Sequence, residues 1–91
     1  MIEELSFVKA SSYRKKVLES IEEYPKTPTQ IADKLKIHRN NISNTLKELK
    51  QYGLVECINP EVRKGRLYRL TDKGSEILNN WWKIVITMFK H

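Results

Sequence analysis

The sequence predicts a small, mostly helical α+β domain: a three-helix core, a two-stranded hairpin and a long C-terminal helix. Three observations carry this reading. Apolar residues recur at helical spacing in three stretches between Ser12 and Tyr52, and again after Thr71. The spacing switches to alternation over Leu54–Ile58 and Arg66–Leu70. The chain has 91 residues, 40% of them hydrophobic and 31% charged, the balance of one globular domain.

Each element has its own signals. Ser12 is placed to cap a helix from Tyr13 to Glu23, with Val17, Leu18 and Ile21 on one apolar face and Pro25 ending it. Residues 1–11 form an N-terminal extension whose Leu5, Phe7 and Val8 can pack on the core. Thr27-Pro28-Thr29-Gln30 opens a short second helix: Thr27 as N-cap, Pro28 at the first helical position, and Gln30 completing a capping box. Ile31, Ala32 and Leu35 form its buried side, and Lys36-Ile37-His38 breaks it. The third helix runs from Arg39 to about Tyr52, with Ile42, Leu46 and Leu49 as its apolar stripe and Gly53 as its terminator. Two strands follow, with Val55 and Cys57 sharing one face and Tyr68 and Leu70 another. Asn59 to Gly65 is a turn-rich, basic connection between them. Thr71 caps a last helix, Asp72 to about Lys90.

The charge is segregated. Lys34 to Arg69 holds nine basic and three acidic residues, a surplus that equals the whole net charge of +6. The remaining residues balance at eight of each sign. A solvated surface usually mixes its signs, so this points to a phosphate-binding face; chance clustering in a lysine-rich chain is the bland alternative.

A short helix, a tight turn, a second helix and a basic hairpin together describe a winged helix-turn-helix. The major groove of B-DNA is about 12 Å wide and admits one helix, and the preceding helix braces it. Thr27 to Ile37 resembles the first helix and turn of prokaryotic winged-helix regulators. Ile42-Ser43-Asn44-Thr45-Leu46-Lys47-Glu48-Leu49 followed by Gly53-Leu54-Val55 resembles their recognition helix and the start of the wing. Tyr68-Arg69-Leu70-Thr71-Asp72-Lys73-Gly74 resembles the end of the wing. On these segments the chain resembles MarR/ArsR-like winged helix-turn-helix transcriptional regulators of the small archaeal type, over roughly residues 12 to 78. The resemblance implies a DNA-binding domain at 12–74 and a dimerisation helix at 75–91. Two positions depart from the family pattern: Lys36 stands where the family usually has Gly, and His38 where Ser or Thr usually caps the recognition helix.

Helical arithmetic at about 100° per residue sorts the third helix. Asn40, Asn44, Lys47 and Gln51 fall opposite the apolar stripe, with Ser43 on the flank and Arg39 and Asn41 at the helix start. Asn reads adenine bidentately and Arg reads guanine, so Asn40 and Asn44 are the candidate base-reading residues, with Arg39, Asn41 and Ser43 beside them as candidate DNA contacts. Capping or simple solvation is the alternative for the asparagines. Lys47 and Lys50 are candidate phosphate contacts or solvated lysines. Arg63, Lys64 and Arg66 around Gly65 are candidate backbone or minor-groove contacts, against a solvated loop. The Arg14-Lys15-Lys16 run is expected to pair with Glu19, Glu22 and Glu23 at helical spacing. Tyr13 and Tyr52 read as core-edge residues, and Arg69 as facing solvent.

The last helix carries apolar residues over an arc of roughly 200°, twice what one core face requires. Trp81, Trp82, Val85, Ile86 and Phe89 are therefore the candidate homodimer contacts, against a helix folded back on its own domain or lying on a membrane surface.

Other functions find little support. With two histidines and one cysteine, Cys57, no catalytic triad, phosphate loop or metal-ligand set can be assembled. No enzyme activity, cofactor or metal is expected, and Cys57 reads as a small buried hydrophobe. MIEELSFVKASS lacks the features of a signal peptide, and no apolar run approaches a membrane span, so a cytoplasmic protein is expected. The function expected is sequence-specific binding of double-stranded DNA as a homodimeric repressor. The rival is a protein-interaction module within a larger assembly, for which an apolar or acidic third helix would be expected. RNA binding is the third option, without the exposed aromatic pair that single-strand readers use.

Overall fold

The computed structural model describes residues 2–81 and 83. Its elements run α1 (Ile2–Lys9), α2 (Ser12–Ser20), α3 (Pro28–Leu35), α4 (Arg39–Gln51), β1 (Val55–Cys57), β2 (Tyr68–Leu70) and α5 (Asp72–Asn79). α2 is the hub, packing against α1, α3, α4 and α5. Val8, Val17, Leu18, Ile21, Ile31, Ile42, Leu46, Leu49, Leu54, Val55 and Ile77 form one buried core. Leu5, Phe7, Ala32, Leu35, Tyr68, Leu70 and Trp81 are packed around it. The fold is the winged helix-turn-helix that the periodicities predict.

The N-terminal extension is a helix in its own right. Glu3 and Glu4 lie in its first turn and Lys9 in its last, the favourable order for the helix dipole. Val8 is fully buried, and Phe7 stacks on Tyr52, their ring centroids 3.8 Å apart and their planes within 8°.

α2 differs from the sequence reading at both ends. Ser11, not Ser12, takes the N-cap position, with extended backbone and no side-chain capping bond. The helix stops at Ser20 rather than continuing to Glu23, so Pro25 is not what ends it. The chain turns early because Lys26 must reach the hairpin: its backbone exchanges two hydrogen bonds with Tyr68, at 3.1 and 2.9 Å. The buried Lys26 ammonium donates to the Ser20 carbonyl at 2.5 Å, satisfying one of the acceptors that the helix end leaves open, and lies 3.9 Å from the Tyr24 ring centroid.

The hairpin is antiparallel, with Val55 opposite Leu70, Glu56 opposite Arg69 and Cys57 opposite Tyr68. The register puts both predicted apolar pairs on one face. Glu56 and Arg69 fall on the other, and Arg69 Nε donates to Glu56 Oε1 at 2.5 Å. Thr71 then fastens the last helix to the hairpin's base. Its hydroxyl donates to the Gly53 carbonyl at 2.6 Å and accepts from the Gly74 N–H at 3.1 Å. Gly74 has no room for a side chain: a Cβ there would meet the Leu54 carbonyl oxygen at 2.2 Å.

The last helix is interrupted at Asn80, and most of its predicted second half lies outside the described residues. α5 ends at Asn79, and the Asn80 side chain donates back to the Glu76 carbonyl at 2.8 Å. Two consecutive asparagines, whose amides compete for backbone partners, account for the stop. Trp81 and Lys83 are again helical. Trp82, Val85, Ile86 and Phe89, the other candidate dimer contacts, lie outside the described residues. Among the described residues, no helix is long and apolar enough to cross a membrane, and no cluster of three or more His, Cys, Asp or Glu could hold a metal ion.

Candidate nucleic-acid interface

Local sequence sets the position of α3 and α4. Thr27 Oγ1 accepts from the Gln30 N–H at 3.2 Å while Gln30 Oε1 accepts from the Thr27 N–H at 2.9 Å, a complete capping box. α3 ends at Lys36, whose φ of 59° and ψ of 40° place it in the left-handed region. That one residue makes the turn. His38 then caps α4, Nδ1 accepting from the Asn40 N–H at 3.2 Å. Both departures from the family pattern are accommodated: Lys36 takes the conformation in which glycine is easier, and a ring nitrogen replaces a hydroxyl.

α4 buries Ile42, Thr45, Leu46 and Leu49. The core therefore fixes its rotation, and Arg39, Asn40, Asn41, Ser43, Asn44, Lys47, Lys50 and Gln51 are all exposed. Among the described residues, no side-chain hydrogen bond or ion pair engages Arg39, Asn40, Asn41, Ser43, Asn44, Lys47 or Lys50. These donors and cations are free for an outside partner.

The nearby acids are handled differently. Glu48, on the flank of α4, accepts from Arg14 Nη2 at 3.0 Å. Arg14 also donates to the Phe7 carbonyl at 2.7 Å, and its guanidinium carbon lies 3.8 Å from the Phe7 ring centroid. Tyr52 lies at the same distance from that ring, so the two must cover opposite faces of Phe7. The expected pairing of Arg14 with Glu19, Glu22 or Glu23 is thus replaced by a contact across helices. Lys15 faces the Trp81 ring, 4.9 Å from its centroid. Glu48 is paired to Arg14, which lies outside the basic segment, so the segment presents one more uncompensated positive charge than the sequence count implies; the Glu56–Arg69 pair is internal to it and leaves its surplus unchanged.

The groove between α3 and the start of α4 is lined by Thr29, Ala32, Asp33, Lys36, Ile37, His38, Arg39 and Asn40. Sequence reasoning assigned no α3 residue to the site. Thr29, Asp33 and Lys36 recur at i, i+4 and i+7, away from buried Ile31, and that spacing is the signal that would have found them.

In the wing, Arg63, Lys64 and Arg66 are exposed around Gly65, whose φ is 75°. No described side chain bonds Arg63 or Lys64, whereas Arg66 is held by the loop itself: Nε donates to the Val62 carbonyl at 2.7 Å and Nη2 to the Pro60 carbonyl at 3.3 Å.

A braced helix with an open polar face, beside a basic hairpin, defines a winged helix-turn-helix domain. The chain belongs to the helix-turn-helix domain family, which matches residues 10–58, more than half its length. Solved structures share the fold. The homodimeric winged helix-turn-helix DNA-binding domain of Mb0332 from Mycobacterium bovis, a candidate ArsR-family transcriptional regulator, superposes with a TM-score of 0.73 at 20% identity, over 94% of this chain and 78% of that one. A cysteine-to-serine mutant of MarR from E. coli gives a TM-score of 0.76 at 29% identity, over 91% of this chain and 62% of that one. Quinone-bound YodB from B. subtilis gives 0.74 at 20% identity, over 99% and 97%. The chain thus spans less than two thirds of the MarR chain. No curated protein matches it by sequence.

Proposed function

We propose that the chain is a transcription regulator that binds double-stranded DNA as a homodimer and represses by occupying its operator. The observation that carries this is the exposed, unengaged Asn and Lys face of α4 flanked by the unpaired cations of the wing. A helix presenting amide and cationic side chains suits the major groove, where Asn reads adenine and Lys holds phosphate. An apolar or acidic face would suit a protein partner instead. The homodimeric state of the Mb0332 domain supports the dimer. A twofold axis would set two recognition helices on half-sites about 34 Å apart. In this reading Arg39, Asn40, Asn41, Ser43 and Asn44 read bases, while Lys47, Lys50, Arg63 and Lys64 hold phosphates. Trp81, with the residues that follow it, contributes to the dimer contact.

Two substitutions test the assignment. Lys64→Ala weakens binding to every duplex and lowers the slope of log K against log salt by about one. Asn44→Ala leaves that slope unchanged and costs about 1–3 kcal/mol of discrimination at one base position. Fluorescence anisotropy on matched and mismatched duplexes separates the two. Equal behaviour of both variants and the parent would remove α4 and the wing from the interface. Sedimentation equilibrium reads the dimer directly, and a monomer at all concentrations would exclude it.

A further inference from the structure

The wing loop between β1 and β2 is shaped by two of its own side chains. Asn59 spans its neck: Oδ1 accepts from the Leu67 N–H at 2.7 Å, and Nδ2 donates to the Gly65 carbonyl at 3.2 Å. Arg66 spans its tip, donating from one edge of its guanidinium to the carbonyls of Val62 and Pro60. Arg63 and Lys64 lie between these anchors and are bonded by neither. Ordering backbone costs conformational entropy, so an unbraced loop would spread its two cations over many positions.

We propose that Arg66 is a positioning residue, which folds the wing tip so that Arg63 and Lys64 reach DNA phosphates together, rather than a third phosphate contact. The chemistry is specific to arginine. Its donors are fixed in a planar fork and can serve two carbonyls from one edge, whereas a lysine ammonium is a point charge with no such geometry. The inference rests on the DNA-binding reading and sharpens it, because it separates two roles among three neighbouring cations.

The experiment compares Arg66→Lys and Arg66→Ala with Lys64→Ala in the full chain, using a mixed-sequence duplex over a series of salt concentrations. A positioning role predicts that Arg66→Lys fails to rescue. Both Arg66 variants then lose about tenfold or more in affinity near 0.1 M salt, and both slopes fall by about two, since Arg63 and Lys64 are lost together. Lys64→Ala, losing one contact, lowers the slope by about one. If Arg66→Lys keeps the parent affinity and slope while Arg66→Ala loses about one, Arg66 is itself the phosphate contact and the proposal falls. It also falls if both variants bind as the parent does. Amide hydrogen exchange on the free protein gives a reading independent of DNA. Both variants speed exchange at Val62, whose N–H donates to the Asn59 carbonyl at 3.2 Å inside the tip that Arg66 closes, and leave Leu46, in the core, unchanged; an unaltered Val62 overturns the brace. Should the parent chain bind no duplex at low salt, the DNA-binding reading fails, and exchange at Val62 alone decides whether Arg66 holds the loop.

Discussion

Lys36 is, among the described residues, the one non-glycine position with positive φ. A side chain in the left-handed region costs about 1–2 kcal/mol, and the helix-to-helix turn keeps it there because α3 and α4 are both fixed by the core. Lys36→Gly is therefore expected to raise stability by up to about 1 kcal/mol, less what glycine adds to the freedom of the unfolded chain. Urea unfolding checks this, and a loss of stability would mean that the lysine stem makes a compensating contact. This position was readable in the sequence, because a cation stands between two strong helix signals where glycine is usual. Arg66 was not. Three cations around a glycine look alike as letters, and only the folded loop shows that one of them has Pro60 and Val62 carbonyls for partners.

At the scale of elements, local signals were legible and distant ones were not. The caps of Thr27 and Thr71, the turn at Gly53, the stripes of α3 and α4 and the alternation within each strand all follow from residues within a few positions of one another. The early end of α2 depends on Lys26 meeting Tyr68, and the attachment of α1 depends on Phe7 meeting Tyr52, each pair remote in sequence. Phe7 concentrates that attachment. Its ring lies between Tyr52, at the end of α4, and Arg14, which holds Glu48 of α4. Phe7→Ala is expected to destabilise the domain by about 2 kcal/mol, below the range for fully buried phenylalanines because the ring is only half-buried. It also removes the ring stacked on Tyr52, so that tyrosine fluorescence and denaturant midpoint are expected to change together. A midpoint unaltered within error would mean that α1 is held by its other contacts, Val8 and Leu5 among them. On α4 itself, the face opposite the apolar stripe was legible as a site because the stripe fixes rotation. The α3 side of the groove was less legible, because Thr29 and Asp33 carry no positive charge to mark them.

Across the whole molecule, the two ends of the described chain are tied together. Glu4 of α1 and Lys73 in the first turn of α5 form an ion pair at 2.5 Å. The hydrogen bond from Lys73, then that of the backbone, lower the Glu4 pKa from its ordinary 4.5 to about 2. A carboxyl whose folded pKa is depressed stabilises the fold above its unfolded pKa and ceases to do so as pH falls through the folded value. This contribution is thus complete above about pH 4.5 and lost on descending towards pH 2. Glu4→Gln is expected to flatten that part of the stability profile while leaving stability above pH 6 lower than the parent's. Identical acid limbs in the two proteins would show that the pair is too well solvated to matter, as many surface pairs are. Of the acids in the basic segment, Glu48 is paired by Arg14 from outside it, which adds to the positive surplus of α4 and the wing.

Whether that positive face meets DNA is the central question, and one titration addresses it. Fluorescence anisotropy of a mixed-sequence duplex, run with the full chain at about 0.05 M and 0.2 M salt, reads both affinity and its electrostatic origin. Micromolar binding is expected at the lower salt, weakening at least tenfold at the higher, because Lys47, Lys50, Arg63 and Lys64 together displace several counterions. Absence of binding at the lower salt, or binding indifferent to salt, would contradict it.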